Sequence, residues 1–127
     1  MTRVVVDASA YAAMVFGEPE AALVAHVLDG ATVFAPPLLT FELASAALKK
    51  MRRSGDGGRV LGALAAAFGN ECAIVWHDVD VVDVARVAEA AGISVYDASY
   101  LWLAGVLGAD LVTLDARLAR AGAALAI

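Results

Sequence analysis

Val4-Val5-Val6-Asp7-Ala8-Ser9-Ala10 is the stretch that decides the fold. Three β-branched residues form a short buried strand, an acid stands at its exit, and alanine with serine opens a helix. Ser9 is expected to cap that helix, which runs to about Phe16, with Gly17 ending it. Pro19 then reads as the first turn of a second helix, reaching about Leu28 with Ala22, Leu23 and Val27 on an apolar stripe. Thr32–Ala35 has the composition of a strand. After Pro36-Pro37 a longer helix is predicted from Leu38 to about Arg53, and Ser54-Gly-Asp-Gly-Gly58 is a loop.

The second half repeats the alternation. Arg59–Gly69 has helical spacing, with Val60, Leu64, Ala67 and Phe68 near one face, and Ala73–Trp76 is a short strand. Asp78 is a fitting cap for a helix over Val79–Ala91, which Gly92 ends. A further helix is expected from Asp97 to Leu107, then a strand at Leu111–Leu114, a short helix and an apolar tail, Ala123–Ile127. Strands alternating with helices, and no hairpin signal, imply an α/β fold with a short parallel sheet flanked by helices. The 127 residues fit one domain, 1–127.

Composition limits the function. Hydrophobic residues make up 61% of the chain, which suits a heavily buried domain with one apolar face kept for a partner. The longest uncharged stretches, Gly30–Phe41 and Ala98–Ala109, fall short of the ~18 residues of a membrane span. Asp7 interrupts what a signal peptide would need as its apolar segment. Cys72 is the lone cysteine, which excludes an internal disulfide and suits a reducing, cytoplasmic setting. The net charge of −5 argues against a nucleic-acid partner only at first sight. Setting aside four candidate site acids leaves −1, and five of the nine basic residues fall between Lys49 and Arg59.

Those acids are Asp7, Glu42, Asp97 and Asp115. Asp7 ends the first strand, Glu42 lies one turn into the third helix, Asp97 opens an uncharged helix and Asp115 closes the last strand. Ligands of α/β proteins bind where parallel strands end, so these acids can converge. Two such charges about 5 Å apart cost about 3 kcal/mol at an effective dielectric of about 20. A hard divalent cation with oxygen ligands is the natural occupant. Each acid also has an ordinary role. Asp97 and Asp115 suit helix caps, and Glu42 suits a solvated helix face. His26, His77 and Cys72 have no metal-site spacing, and Tyr11, Tyr100 and Trp102 read as core or interface residues. A dehalogenase-like phosphatase needs a second acid where Ser9 stands, and a phospho-receiver domain needs an acidic pair after its first strand.

Four segments in order resemble the motifs of PIN-domain nucleases. They are Val5-Val6-Asp7-Ala8-Ser9-Ala10, Pro37–Leu48 around Glu42, Tyr96–Ala104 around Asp97, and Val112-Thr113-Leu114-Asp115-Ala116-Arg117-Leu118. The size suits the VapC-type toxins of prokaryotic toxin–antitoxin pairs. The resemblance implies a three-layer α/β/α domain that hydrolyses RNA phosphodiester bonds with Mg²⁺ or Mn²⁺. It makes Asp7 and Asp97 the primary metal ligands, with Glu42 and Asp115 holding a second ion or orienting water. Ser9 and Thr113 would position water or carboxylates. Ser45 stands where many such toxins carry Asn, which implies altered tuning of a metal-bound water. A cognate VapB-like antitoxin and a homodimer are also implied. The competing reading is a catalytically silent PIN-like module that binds a protein partner. Lys49 and Arg53 fall within about 20° of Glu42 around the helix, so they can lead RNA phosphates toward the acids. Favourable contact with the helix C-terminus accounts for them equally well.

Overall fold

Val5 and Val6 are fully buried and Val4 nearly so, as the central strand of a parallel sheet requires. The computed structural model describes residues 2–125. Among them the order is β1 (Arg3–Val6), α1 (Ala8–Val15), α2 (Ala21–Leu28), β2 (Thr32–Ala35), α3 (Leu38–Ser54), α4 (Gly57–Ala67), β3 (Val75–Trp76), α5 (Val81–Ala91), α6 (Val95–Leu107), β4 (Asp110–Val112) and α7 (Ala116–Leu125). The sheet has four strands in the order β3-β2-β1-β4, all parallel. Val5 pairs with Phe34 of β2 on one side and Leu111 of β4 on the other.

This order positions the site. From β1 the chain moves outward through β2 to β3, then returns through α5 and α6 to add β4 on the opposite side of β1. The strand order therefore reverses between β1 and β4, and a crevice opens there at the carboxyl ends of the strands. Asp7 leaves β1 at that point, its N–H still bonded to the carbonyl of Val112 at 3.1 Å. The main core gathers Val5, Val6, Tyr11, Val24, Leu39, Leu43, Tyr100 and Leu103. A smaller cluster of Val84, Ala88 and Ala98 joins α5 to α6, with Trp102 packed against both. No single helix among the described residues is long and apolar enough to cross a membrane.

The alternation of elements is as expected, and the differences lie at helix starts and strand ends. Asp7, not Ser9, caps α1, because its Oδ1 accepts the N–H of Ala10 at 3.0 Å while Ser9 lies inside the first turn. Pro19 precedes α2 instead of opening it, and the expected stripe of Ala22, Leu23 and Val27 is exposed while Val24 is buried. A helix of Ala, Leu and Val with one histidine offers too little contrast for periodicity to mark its inner face. Asp56 draws the start of α4 back to Gly57 by accepting the N–H of Arg59 at 3.4 Å. Asp80, not Asp78, caps α5, taking the N–H groups of Val82 and Asp83. Ser94 caps α6, so the helix opens two residues before Asp97. The strand β3 covers half of Ala73–Trp76, and β4 begins and ends earlier than Leu111–Leu114. The end of the apolar tail lies outside the described residues.

Candidate active site

Asp7 is the best-held of the four acids. It is 4% exposed, and three donors reach its carboxylate: Ser9 Oγ and the Ala10 N–H on Oδ1, and Thr113 Oγ1 on Oδ2. A carboxylate has about four acceptor positions, so the one left open lies on Oδ2. The two hydroxyls are fixed from behind. Ser9 Oγ accepts the N–H of Leu114, and Thr113 Oγ1 accepts the N–H of Asp115. Both hydroxyls thus bond the Asp7 carboxylate, and together they stitch β1 to the loop after β4.

Asp115 caps α7 with one oxygen. Its Oδ1 accepts the N–H groups of Arg117 and Leu118 at 2.9 and 3.2 Å, and Oδ2 has no partner among the described residues. Capping and ligation are therefore compatible at this position. Asp97 is not a cap. Its own N–H is taken by Ser94, and among the described residues no backbone N–H reaches its carboxylate. Partial burial, then Asp115, then Asp7 push the Asp97 carboxyl above its ordinary range, while Arg117 and the Ser94 hydroxyl act the other way. Glu42 is half-buried on α3 and accepts the Tyr100 hydroxyl on Oε1 at 2.5 Å. Burial raises its carboxyl most. Tyr100 pulls it down, and Asp97 and Asp7 add to the rise.

The acids acting on Glu42 and Asp97 come from separate elements. Asp97 has Asp115 and Asp7 as electrostatic neighbours and Glu42 has Asp97 and Asp7, with no coupling between Glu42 and Asp115. Among the described residues no group of three or more His, Cys, Asp or Glu side chains is spaced to hold a metal ion. The donor chemistry still fits a hard cation that keeps much of its own water, since Asp7 keeps one acceptor position open, one oxygen each of Glu42 and Asp115 has no partner among the described residues, and burial with the neighbouring acids disfavours the charge on Glu42 and Asp97.

Other expected residues take different places. Ser45 is exposed, with no partner for its hydroxyl among the described residues. Lys49 and Arg53 are exposed and make no ion pair among them, whereas Lys50 is tied to Glu18 at 2.7 Å and lies over the Phe16 ring. The ring of His77, which the sequence leaves without metal-site spacing, meets the backbone carbonyl of Asp78 at 2.6 Å. Two site residues escaped the sequence reading. Tyr100 binds Glu42, and Arg117 donates to the Gly92 carbonyl at 2.8 Å while acting on Asp97. Tyr100 lies three positions after Asp97, one helical turn along the same face, which was the available signal.

Comparison with known proteins agrees with this fold. The family model described as PIN domain fits residues 4–124. The structure is similar to that of PAE2754 from Pyrobaculum aerophilum, with 25% identity, a TM-score of 0.65, and coverage of 94% of this chain and 84% of that one. It is also similar to VapC20 of Mycobacterium tuberculosis, a sarcin–ricin loop cleaving toxin. There the identity is 16% and the TM-score 0.68, over 94% of this chain and 95% of that one. No curated protein matches the chain. With the family model spanning nearly all of the described residues, the chain belongs to the PIN domain family.

Proposed function

We propose that this protein is a metal-dependent endoribonuclease of the VapC toxin type, held in check by a cognate VapB-like antitoxin. The observation that carries the reading is the grouping of Asp7, Glu42, Asp97 and Asp115 around the switch point of the sheet, where burial and the neighbouring acids raise the carboxyls of Glu42 and Asp97. Family membership and the architecture shared with VapC20 support it. Exposed apolar side chains such as Phe41, at 77% exposure, give an antitoxin or a second copy in a homodimer something to cover. A cytoplasmic location belongs to the same proposal.

Mg²⁺ or Mn²⁺ would supply a Lewis acid for the phosphate and lower the pKa of bound water. Asp7 and Asp97 would be its primary ligands, with Glu42 and Asp115 beside them. The chain's own residues do the positioning. Ser9 and Thr113 hold the Asp7 carboxylate so that one lone pair of Oδ2 stays open. Asp115 keeps Oδ2 free while its other oxygen anchors α7. Lys49 and Arg53 offer a track for RNA phosphates along α3, and Ser45, exposed on the same helix, can bond water at its edge.

The test is end-mapping of cellular RNA after exposure to purified, antitoxin-free protein with Mn²⁺, beside Asp7→Asn and a chelator control. Discrete cuts that vanish in both controls are expected, and they identify the target. Folded protein that makes no cuts would favour a silent module that binds a protein partner.

A further inference from the structure

Tyr100 is 1% exposed, and its ring packs in the main core with Leu39, Leu43 and Leu103. A phenol buried there must find an acceptor, because an unpaired hydroxyl in the core is costly. It finds Glu42 on another helix, 58 positions away. Burial and the neighbouring Glu42 hold the phenol well above its ordinary pKa, so it remains the donor in this pair.

From the side of Glu42 the bond answers a different need. The side chain has three torsions, stands half-buried, and is repelled by Asp97 and Asp7. Left alone, it would favour rotamers that swing away from the other acids toward solvent. A donor fixed in the core opposes this, because the Tyr100 ring cannot follow such a movement. We infer that Tyr100 is a positioning residue for Glu42, pinning Oε1 so that Oε2 is the one oxygen Glu42 presents to a cation or water in the crevice. The inference rests on the metal-dependent reading of the site. It assigns a second task to a residue whose burial alone marks it as core.

Calorimetric titration of metal-free protein with Mn²⁺, without RNA, tests the link. The set is wild type, Tyr100→Phe, Glu42→Gln and the double variant, each checked for folding by circular dichroism. Tyr100→Phe is expected to weaken Mn²⁺ binding about tenfold, which is about 1.4 kcal/mol. In the Glu42→Gln background the same change should have little further effect, because the group it acts through is gone. Incorporating 3-fluorotyrosine keeps the hydroxyl and makes it a stronger donor, so it tests the same coupling without emptying the bond. It should shift Mn²⁺ affinity in wild type and not in Glu42→Gln. Unchanged affinity in Tyr100→Phe overturns the inference and leaves the nuclease reading intact. An equal loss in both backgrounds also overturns it, because Tyr100 then acts through the core alone. Wild-type protein that binds no Mn²⁺ overturns the metal-dependent reading itself, and the inference with it.

Discussion

Thr113, on the loop after β4, donates its hydroxyl to Oδ2 of Asp7 at the end of β1, 2.5 Å away across 106 positions of sequence. Ser9 does the same for Oδ1 at 2.7 Å. With both protons committed to Asp7, the two hydroxyl oxygens are left as acceptors, and they take the N–H groups of Leu114 and Asp115 at 3.0 Å each. The 3.4 Å approach of Ser9 Oγ to Thr113 Oγ1 is therefore a contact between two acceptors. The switch point is closed by hydrogen bonds that run through the buried acid.

Thr113→Val keeps the volume and removes both bonds of this hydroxyl. Asp7 loses a donor and Asp115 loses an acceptor for its N–H, so a loss of about 1–3 kcal/mol is expected. Urea unfolding of the metal-free protein measures it. A midpoint equal to that of wild type would show that the loop after β4 is held by packing alone.

Asp97 and Ser94 divide roles that the sequence assigned to one residue. Because Ser94 provides the cap, Asp97→Asn removes a charge that burial and the neighbouring acids disfavour more than Arg117 and Ser94 favour it, and the metal-free melting temperature should rise or barely move. Ser94→Ala should cost about 1 kcal/mol, several degrees in a domain of this size. Thermal melts of the two variants decide the point. A large loss in Asp97→Asn with none in Ser94→Ala would return the cap to Asp97.

These pairs show what could be read in the chain and what could not. The strand β2 was legible residue by residue and β1 but for its ends, because runs such as Val4-Val5-Val6 have one reading. Helix starts were not, because two capping residues stood within a few positions of each other at Asp7 and Ser9, Asp78 and Asp80, and Ser94 and Asp97. Local chemistry allows either member of each pair, and packing chooses. The four acids were legible as a set, since element ends and motif order both marked them. Their partners were not. Tyr100 reaches Glu42, and Arg117 reaches the Gly92 carbonyl, only because the helices are arranged around a sheet whose order no local pattern encodes.

Acid pH should stabilise the metal-free site. Glu42 and Asp97 have carboxyls raised from ordinary values of 4.5 and 3.8, so both bind protons more tightly folded than unfolded. Their contribution to stability is fully present below those ordinary values and is lost as pH rises through the raised ones. Other carboxylates contribute in the same range, so the informative quantity is wild type minus the Glu42→Gln, Asp97→Asn double variant. Between about pH 4 and pH 7, the urea midpoint of wild type should fall relative to the variant's as pH increases. Saturating Mn²⁺ should remove that fall by binding the charged form. A difference independent of pH would mean that neither burial nor the neighbouring acids raise these two carboxyls in the folded protein.

Lys49 and Arg53 share the face of α3 that carries Glu42, and neither is tied to an acid among the described residues. Lys50 is their internal control, since it is already paired with Glu18 and lies over Phe16. Replacing Lys49 and Arg53 by Ala should weaken RNA binding and lower the slope of log affinity against log salt by about 1.4, the share of two phosphate contacts on a single strand. Mn²⁺ affinity should stay at the wild-type value, because neither side chain is a ligand. Lys50→Ala should change the slope little and cost some stability instead, as an ion pair and a ring contact are lost. Anisotropy titrations of a labelled single-stranded RNA over a range of salt, with the cleavage-deficient Asp7→Asn background common to all variants, read these slopes directly. A double variant with an unchanged slope would place the RNA path elsewhere and leave Lys49 and Arg53 as partners of the helix C-terminus.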